Sequence, residues 1–515
     1  MHETHSASSS NLPEVEHPLP AVTAPVPIVS PVENNLKNSV SAPRADKLER
    51  ADFLLLMVMV IAAFILILNE TLLGVALPVL MEDLHVAAST TQWSSTGFML
   101  TMAVVTPASG FIISRFSIRN VFVGAMAVFS IGSLAAGLAP TFGFLLLGRI
   151  LQAMGTGIIM PLLMTTMMRL VPPSRIGRAM GLIGMVISAA PALGPTVSGL
   201  ILGIGTWHWL FLSVLPIGLI ALFVGLKLAP NTLPEGGENQ RLDVLSMILS
   251  TLGFGGLVLG LSSLGGSSAH GGGISLNPWI LIAISAAILV VFVMRQLQLQ
   301  KTSSPFMDLR VFKSFPFVLT VLMSSVAMGV LLGSSVLLPM YTVNVLGLDS
   351  LATGLMLLPG GILSALMSPI VGNLSDKFSP RVLVIPGATL FAGSIWLLTL
   401  FDENTSPLFV VLVYLILSAV IPFMNTPMMG LGLGSLPKHL YSYGSSAMTT
   451  VQQVSAAAAT AIFVALMGIG IATHGGSGVE AQAAGVRLAF TVAACIALSA
   501  IVIAVLIPRR ATAKH

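Results

Sequence analysis

The chain has 515 residues, of which 55% are hydrophobic and only 8% are charged. Soluble globular proteins carry about 25% charged residues, so this composition excludes a water-soluble protein. The single cysteine, Cys495, excludes an intrachain disulfide and a thiolate metal cluster. The formal net charge of +4 is small, and it reflects loop lysines and arginines rather than a nucleic-acid-binding surface.

Residues 1–51 form a distinct first segment. They are rich in Pro, Ser, Val and Glu, as in HPLPAVTAPVPIVSPVENN at 17–35, and this composition predicts a disordered tail. No apolar core lies near the N-terminus, so we expect no signal peptide and expect the first membrane span to direct insertion. A docking or regulatory arm is the alternative to a solvated extension, which the composition favours.

The rest of the chain consists of recurring apolar stretches about 20 residues long, the length of a membrane-spanning helix. The stretches do not alternate polar and apolar residues, so they predict helices and not the strands of a transmembrane barrel. Fourteen spans are predicted, near 53–80, 92–113, 121–139, 142–168, 178–203, 209–228, 243–264, 277–295, 316–345, 351–374, 381–401, 406–431, 442–473 and 485–507. The seventh is the weakest because GFGGLVLGLSSLGGSSAHGGG is rich in glycine.

The distribution of basic residues predicts the orientation. All lysines and arginines except Arg149 and Arg487 lie in the termini or in the loops that follow even-numbered spans. By the positive-inside rule this side is cytoplasmic. We therefore expect a multi-pass protein of the bacterial plasma (inner) membrane, with the N- and C-termini in the cytoplasm. The regular alternation also supports the count of fourteen spans.

The loop after the second span, GFIISRFSIRN at 110–120, is similar to the loop after the tenth, GNLSDKFSPRV at 372–382. The matching spacing of Gly, Phe and Arg favours an internal repeat over two unrelated basic loops. Repeated sets of helices around a midplane site are typical of secondary transporters. The repeat predicts a cytoplasmic tail at 1–51, a six-helix bundle at 52–228, a linker with two additional transmembrane helices at 229–300, a second six-helix bundle at 301–508 and a cytoplasmic tail at 509–515.

These loops resemble the cytoplasmic loop signature of the major facilitator superfamily. Four further stretches resemble its fourteen-span drug:proton antiporter branch, which includes multidrug and lincomycin-resistance-type efflux proteins. They are LNETLLGVALP at 68–78, LLLGRILQAMGTG at 145–157, GLIGMVISAAPALGPTVSG at 181–199 and WHWLFLSVLPIG at 207–218. The resemblance implies an all-α membrane protein with the major facilitator fold, in which two six-helix bundles flank two inserted helices.

The chain departs from this family pattern at two places. The first loop has Ser114 where the family usually has Asp, whereas the second loop keeps Asp376. The first-span signature usually has Asp where this chain has Asn69, and the acid, Glu70, is displaced by one residue. One residue turns a helix by about 100°, so this displacement changes the direction in which the acid points.

Glu70 is the only acid, and Arg149 the only base, that lies well inside a predicted span. A charge at the bilayer centre costs about 3 kcal/mol or more, so such residues usually face a cavity or a partner. Burial favours a neutral carboxyl group, whereas water or a nearby cation favours a charged one. These competing influences make Glu70 the candidate proton site, which also attracts cationic substrates. The alternative is a structural acid paired permanently with Arg149 or with helix hydroxyls.

Arg149 and Gln152 are candidates for coupling protons to substrate. The resemblance implies a proton-coupling role for Arg149, and a structural role in hydrogen bonding to carbonyls is almost as well supported. Gln152 lies three residues further on, on the same helix face, so it extends the polar strip. A glutamine that links two helices is the alternative for Gln152.

The resemblance assigns further candidates to two groups. The antiporter motif comprises Gly184, Gly194, Pro195 and Gly199, and close helix packing is an equally good explanation for these residues. The cytoplasmic gate comprises Gly110, Arg115, Arg119, Gly372, Asp376 and Arg381, for which simple anchoring by positive charge is the alternative.

Polar amides inside the spans are the candidate cavity residues. They are Asn69, Asn425, Gln452 and Gln453. For any one of Asn425, Gln452 and Gln453, a role in linking helices is the favoured alternative.

No catalytic set, Walker loop or His/Cys metal cluster is apparent, so we expect no enzyme, no metal and no cofactor, with a proton gradient as the energy source. The sequence predicts a proton-coupled antiporter that exports amphipathic small molecules or drugs by alternating access. Its expected partners are small lipophilic or cationic substrates, protons and the lipid bilayer, with no nucleic acid and no prediction of oligomeric state. A dedicated exporter of one metabolite or lipid precursor, and a non-transporting membrane sensor or assembly component, are the alternatives.

Overall fold

The structure, a computed structural model, describes residues 50–231, 243–265, 277–301, 305–476 and 478–508. Within these ranges every regular element is helical. The predicted tail at 1–51, apart from Arg50 and Ala51, and the predicted tail at 509–515 lie outside the described residues.

The described residues contain fourteen helices that are long and apolar enough to cross a membrane, which confirms the predicted all-helical membrane fold. In chain order they are α1 (Arg50–Asp83), α2 (Thr90–Arg115), α3 (Ile118–Gly137), α4 (Phe142–Leu170), α5 (Pro173–Ile204), α6 (Trp209–Leu228), α7 (Val244–Leu264), α8 (Pro278–Leu299), α9 (Phe315–Asn344), α10 (Ala352–Ser375), α11 (Pro380–Leu398), α12 (Pro407–Gly434), α13 (Lys438–Thr473) and α14 (Val479–Val505). The last helix begins before the predicted residue 485 because polar residues that favour helices, such as Glu480, extend it beyond its apolar stretch.

Several helices begin where a polar side chain accepts a hydrogen bond from a free backbone amide. Asp243, Asn277 and Asp349 stand at the starts of α7, α8 and α10, and each accepts a hydrogen bond from an amide two or three residues later. The first amides of a helix have no partner within the helix, so these caps determine where the apolar segments become helical.

The connections after even-numbered helices lie together at one end of the molecule. The Ser117 hydroxyl, after α2, donates to Asn231 Oδ1, after α6, at 3.0 Å. Arg381 Nη1, at the start of α11, donates to the carbonyl of Ile507, after α14, at 3.2 Å. Because most of the basic loop residues belong to these connections, we call this end the basic face.

The connections after odd-numbered helices lie at the opposite face. Trp207 Nε1, between α5 and α6, donates to Asp83 at the end of α1 at 2.6 Å. The Tyr341 hydroxyl of α9 donates to the carbonyl of Asp402, after α11, at 2.6 Å. Successive helices therefore run in opposite directions, as membrane-crossing segments must.

Two apolar cores organise the bundle. One is formed mainly by α1–α6, the first six helices, with Phe122 and Phe129 at its centre. The other is formed by α9–α14, the last six helices, around Phe391 and Phe490. The pair α7–α8 stands outside both cores over most of its length, and α8 contacts mainly α7. The first core also takes in residues of the last six helices, such as Phe317 and Met448, so the two cores adjoin at this boundary.

Candidate functional site

The Arg149 side chain is the centre of a buried polar network in the first six helices. The residue is 0% exposed, and its Nη1 donates to Asn69 Oδ1 at 2.9 Å and to Gln152 Oε1 at 3.1 Å. Its Nε donates a longer bond of 3.4 Å to the Ser94 carbonyl, and its guanidinium lies 4.1 Å from the centre of the Phe98 ring. A buried cation needs such acceptors and an aromatic face to replace water.

Gln152 extends this network to α3. It is fully buried, and its Nε2 donates to the Ser133 hydroxyl at 2.9 Å. Helices α1, α2, α3 and α4 are therefore joined through one arginine and one glutamine on the same face of α4. Sequence reasoning found these two residues and missed Ser133 and Phe98, because a single serine or phenylalanine in an apolar span carries no signal.

Glu70 lies beside this network but outside it. Among the described residues it has no hydrogen bond, and no ion pair shorter than 4 Å joins it to Arg149, although the two charges interact at longer range. The residue keeps partial exposure, and it shares its helix face with Gly74 and Pro78, which are exposed. A side-chain carbon built on Gly74 would meet no atom within 4 Å.

The displacement of the acid by one residue thus separates two roles. Asn69 points into the network and is 0% exposed, whereas Glu70 is turned by about 100° onto the uncovered face of α1. Helix α1 contacts α2, α4, α5 and α6, so its uncovered face looks away from its own set of helices. Asn69, predicted to line a cavity, is instead a buried member of the arginine network, and a permanent short ion pair between Glu70 and Arg149 is absent here.

The antiporter motif of α5 contacts α1 next to Glu70. A side-chain carbon on Gly194 would overlap the Thr71 hydroxyl and lie 2.8 Å from Thr71 Cβ, so only glycine permits this approach of the two helices. Pro195 and Gly199 are exposed, and a carbon on Gly199 would meet nothing within 4 Å. The motif therefore contains one glycine that is sterically required at α1 and one that is not.

The earlier part of the motif contacts the last six helices. A carbon on Gly184 would lie 3.1 Å from Thr426 Oγ1 of α12 and 3.2 Å from Ser368 Oγ of α10. Further along the same face of α5, the Ser188 hydroxyl accepts a hydrogen bond of 3.1 Å from the Ser364 hydroxyl of α10. Helix α5 thus contacts the Glu70 region with one part and the opposite set of helices with another.

The second copy of the repeated loop closes on the start of α5. The Asp376 carboxylate accepts hydrogen bonds from the amides of Gly177 at 2.6 Å and Arg178 at 3.0 Å. Loss of hydration raises the pKa of Asp376, and the two amide bonds oppose this rise. A carbon on Gly372 would lie 2.5 Å from the Gly177 carbonyl oxygen, so the helices touch through their backbones.

The first copy of the loop closes on the start of α13 in a similar way. The Ser114 hydroxyl donates to the Tyr443 hydroxyl at 3.1 Å, and Ser446 Oγ donates to the Thr106 carbonyl at 2.7 Å. A carbon on Gly110 would lie 3.0 Å from Ser446 Cβ. Where the second copy uses a carboxylate, the first therefore uses a pair of hydroxyls.

The predicted basic residues of the gate take separate positions. Arg381 bonds the Ile507 carbonyl within its own set of helices, and no ion pair joins it to Asp376 among the described residues. The Arg115 guanidinium lies 5.9 Å from the centre of the Phe116 ring, and the Arg119 amide donates to the Pro230 carbonyl. Asp376 was identified from the sequence, but its partners are backbone amides, which no pattern of side chains reveals.

The two sets of six helices meet mainly through α5–α10, α2–α13, α5–α12 and α4–α13. Most of the contacts described above, together with the 2.7 Å bond between Thr165 and Ser445, lie in the parts of these helices nearer the basic face. The bond between Ser188 and Ser364 lies near the middle of α5 and α10. Toward the opposite face, carbons built on Gly199 of α5 and Gly354 of α10 would meet no atom within 4 Å. The described conformation is therefore closed at the basic face.

A small cavity lies between α5 and the last six helices. Its volume is about 20 Å³, room for about one water molecule. Its lining includes Gly184, Asn425, Thr426 and Gln452, and the Asn425 Oδ1 and Thr426 Oγ1 atoms are buried without a protein partner. Gln453 Oε1 is likewise unpartnered but lies outside this lining. The structure thus brings together two of the predicted cavity amides.

The cavity contains no charged side chain in its lining, and two methionines, Met328 and Met429, contribute to it. Within the described residues, no group of three or more His, Cys, Asp or Glu side chains is arranged to hold a metal ion. The charged site in the first six helices and the neutral cavity bordered by the last six are therefore chemically distinct.

Comparison with known proteins shows the family. The sequence profile of the Major Facilitator Superfamily matches residues 59–460. The chain belongs to the major facilitator superfamily. The lincomycin resistance protein LmrB of Listeria monocytogenes is 39% identical over 448 residues, 85% of this chain and 93% of its own. The multidrug resistance protein B homolog of Mycobacterium tuberculosis is 28% identical over 446 residues, 86% of this chain and 81% of its own.

Solved structures of the superfamily share the fold. The human organic anion transporter MFSD10 superimposes with a TM-score of 0.64 at 13% identity, covering 88% of this chain and 100% of its own. The proton:xylose symporter XylE gives a TM-score of 0.59 at 15% identity, covering 87% of this chain and 96% of its own. The chain is thus a multi-pass membrane transporter of the major facilitator fold, not an enzyme.

Proposed function

We propose that this transporter is a proton-coupled antiporter that exports amphipathic small molecules or drugs across the plasma membrane. The observation that carries the proposal is the position of Glu70. It is the single carboxylate well inside a predicted span, it stands on the uncovered face of α1, and its charge interacts with that of the fully buried Arg149.

The orientation follows from charge. The basic face carries most of the lysines and arginines, so the positive-inside rule places it, with both termini, in the cytoplasm. In that orientation the described conformation is closed toward the cytoplasm. Glu70, Gly74 and Pro78 then form a stripe toward the outside along which an external proton reaches the carboxylate.

Arg149 supports reversible protonation because its guanidinium is committed to neutral acceptors. Its bonds to Asn69 and Gln152 hold it in place, so it acts on Glu70 through its field and not through a short ion pair. A carboxylate in such a position can exchange its proton for a cationic or hydrogen-bonding substrate. Each charge moved through 100 mV supplies about 2.3 kcal/mol for concentrative export.

The neutral cavity and the relatives support the proposed substrate class. Unpartnered amide and hydroxyl oxygens at Asn425 and Thr426 accept hydrogen bonds from hydroxyl or amide groups, while Met328 and Met429 provide adaptable apolar contacts. The relatives named for lincomycin and multidrug resistance agree with such a substrate. Because the described cavity has room for about one water molecule, the substrate binds after the two sets of six helices separate.

The proposed cycle has two steps. In the outward-open conformation, an external proton binds Glu70 and displaces the substrate. The two sets of helices then rock, the contacts of Asp376 and Ser114 at the basic face break, and the proton leaves to the cytoplasm as new substrate binds.

The test is proton flux in proteoliposomes that contain a pH-sensitive dye. Lipophilic cations and neutral antibiotics, including lincomycin, are added outside to wild type, Glu70→Gln and the control Glu82→Gln. Glu82 lies on the same helix and is exposed at its end. We expect substrate-triggered flux in wild type and in Glu82→Gln, and none in Glu70→Gln.

The other outcomes assign the function differently. Substrate-triggered flux that persists in Glu70→Gln would retain antiport and remove Glu70 from its centre. Flux restricted to one compound of the panel would favour a dedicated exporter of one metabolite. A folded wild type without flux for any compound would contradict the proposal.

A further inference from the structure

The outer parts of α2 and α13 leave a gap that another helix fills. The hydrogen bonds between α2 and α13 involve Thr106, Ser114, Tyr443 and Ser446, all nearer the basic face. Toward the opposite face, α7 contacts both α2 and α13. The inserted helix α7 therefore lies where the two sets of six helices diverge.

The inner part of α7, near the basic face, is anchored to the first six helices. Phe292 of the paired helix α8 meets Phe306 at 6.3 Å between ring centres, and Phe306 stacks with Phe111 of α2 at 6.1 Å. Phe254, in the middle of α7, meets Phe292 at 6.1 Å and joins this row. The rings of Phe111, Phe292 and Phe306 are buried and belong to the core of the first six helices. This part of the inserted pair therefore moves with α2.

A polar network reinforces that anchor. The Asp243 carboxylate accepts two hydrogen bonds from the Arg295 guanidinium, at 2.7 Å and 2.8 Å. Gln296 Nε2 donates to the Ser246 hydroxyl at 2.7 Å, and its Oε1 accepts from the Met307 amide at 3.0 Å. Because Arg–carboxylate pairs of this kind are directional, α7 and α8 are held rigidly at their basic ends.

The outer part of α7 belongs elsewhere. Residues Gly256–Gly265 contact α13 more extensively than α2, and Val258 and Leu261 in this part are buried outside both main cores. Between the two parts, Thr251–Gly255 form a π-helical turn, a wider turn that breaks the regular hydrogen-bond ladder. A carbon on Gly255 in this turn would lie 3.3 Å from Leu100 of α2. The change of partner therefore coincides with the break in the helix.

We propose that α7 is a hinged wedge between the two sets of six helices. Its inner part moves with α2, its outer part moves with α13 and seals the gap between α2 and α13 on the outward side, and the π-helical turn at Thr251–Gly255 bends when the sets rock. The inference rests on the alternating access of the proposed function.

Distances between spin labels test the wedge in the full chain with Cys495→Ser as background. Labels at Gln92 and Ala472 report the outer ends of α2 and α13. Ser262 reports the outer part of α7 and Ile248 its inner part; all four positions are exposed. The distances are measured at several pH values with and without substrate.

The same distances are measured with Gly177→Ala. A carbon on Gly177 would overlap the Ser375 hydroxyl and lie 2.6 Å from the Gly372 carbonyl oxygen, so this change forces the basic face open.

We expect the Gln92–Ala472 distance to shorten when the basic face opens. The Ser262–Ala472 and Ile248–Gln92 distances then stay constant, and the Ser262–Gln92 distance changes. If Gln92–Ala472 changes but Ser262 keeps its distance to Gln92 instead of Ala472, α7 moves as one body with the first six helices and the wedge is wrong, while the proposed function stands. If Gln92–Ala472 stays constant in every condition, both alternating access and the wedge are contradicted.

Discussion

In the first six helices a buried cation, Arg149, organises a connected network of polar side chains, whereas the polar side chains that the last six helices contribute to the cavity are neutral. Arg149 uses Asn69 and Gln152 as acceptors, and Gln152 in turn bonds Ser133. Asn425 Oδ1, in contrast, has no protein partner beside the cavity. We propose that the two sets divide the tasks, with the first six helices holding the charge for proton coupling and the last six offering hydrogen bonds to substrate.

Replacing Arg149 should have the largest effect, because the network of the first six helices depends on it. Arg149→Met leaves Asn69 Oδ1 and Gln152 Oε1 buried without a donor, so we expect a loss of about 1–3 kcal/mol in stability for each oxygen and complete loss of export. Arg149→Lys keeps the charge but not the planar fork, and should retain stability and only part of the export. Melting temperature in detergent and antibiotic export from cells measure the two effects. An Arg149→Met variant as stable as wild type would contradict the network.

The antiporter motif supplies a matched pair of glycines. Gly194→Ala forces α5 away from Thr71 beside Glu70, at a cost of about 1–3 kcal/mol, and export should fall about tenfold. Gly199→Ala introduces the same carbon into open space and should leave export within about twofold of wild type. Transport rates of the two variants at equal expression decide the point, and equal losses in both would mean that the contact with Thr71 is irrelevant.

Substitutions in the neutral cavity should weaken substrate affinity without changing the coupling of protons to substrate. Asn425→Ala and Gln452→Ala each remove a hydrogen-bonding group worth about 0.5–1.5 kcal/mol, so the KM for substrate should rise about two- to tenfold. The ratio of protons to substrate should stay unchanged. Gln453→Ala is the control, because Gln453 is adjacent in sequence and lies outside the cavity lining. A changed proton ratio in Asn425→Ala would mean that the two sets of helices do not divide the tasks.

Helices α7 and α8 belong to neither set of six helices, and a substitution at their basic end should have the smallest effect on the protein. Hydrogen bonds from Arg295 lower the pKa of Asp243 to about 2. Because an unfolded aspartate titrates near pH 4, the stabilisation is complete above about pH 4 and is lost as the pH falls toward 2. Asp243→Asn should remove this pH-dependent part of the melting temperature. Identical melting curves of variant and wild type from pH 7 to pH 3 would contradict it.

Much of the fold could be predicted from the sequence because it depends on hydropathy, charge and repetition. All fourteen helices were expected from apolar length. The π-helical turn in α7 at Thr251–Gly255 was not predicted, because a glycine-rich apolar stretch gives no periodic signal for such a turn.

The candidate site was predictable as a set of residues but not as a geometry. The rarity of charges in the spans identified Glu70 and Arg149, yet a difference of one residue along α1 decided that Asn69 meets the arginine. The partners of Asp376 are amides of α5, and such backbone contacts depend on how closely the helices approach. The sequence pattern does not encode that distance.

If substrate and proton compete for Glu70, as we propose, substrate binding releases a proton from the protein. Purified protein in weakly buffered detergent with a pH indicator is titrated with substrate, comparing wild type, Glu70→Gln and Glu82→Gln. We predict that wild type and Glu82→Gln release protons on binding and that Glu70→Gln binds substrate without release. Equal proton release from Glu70→Gln and wild type would contradict the assignment of Glu70 as the proton site.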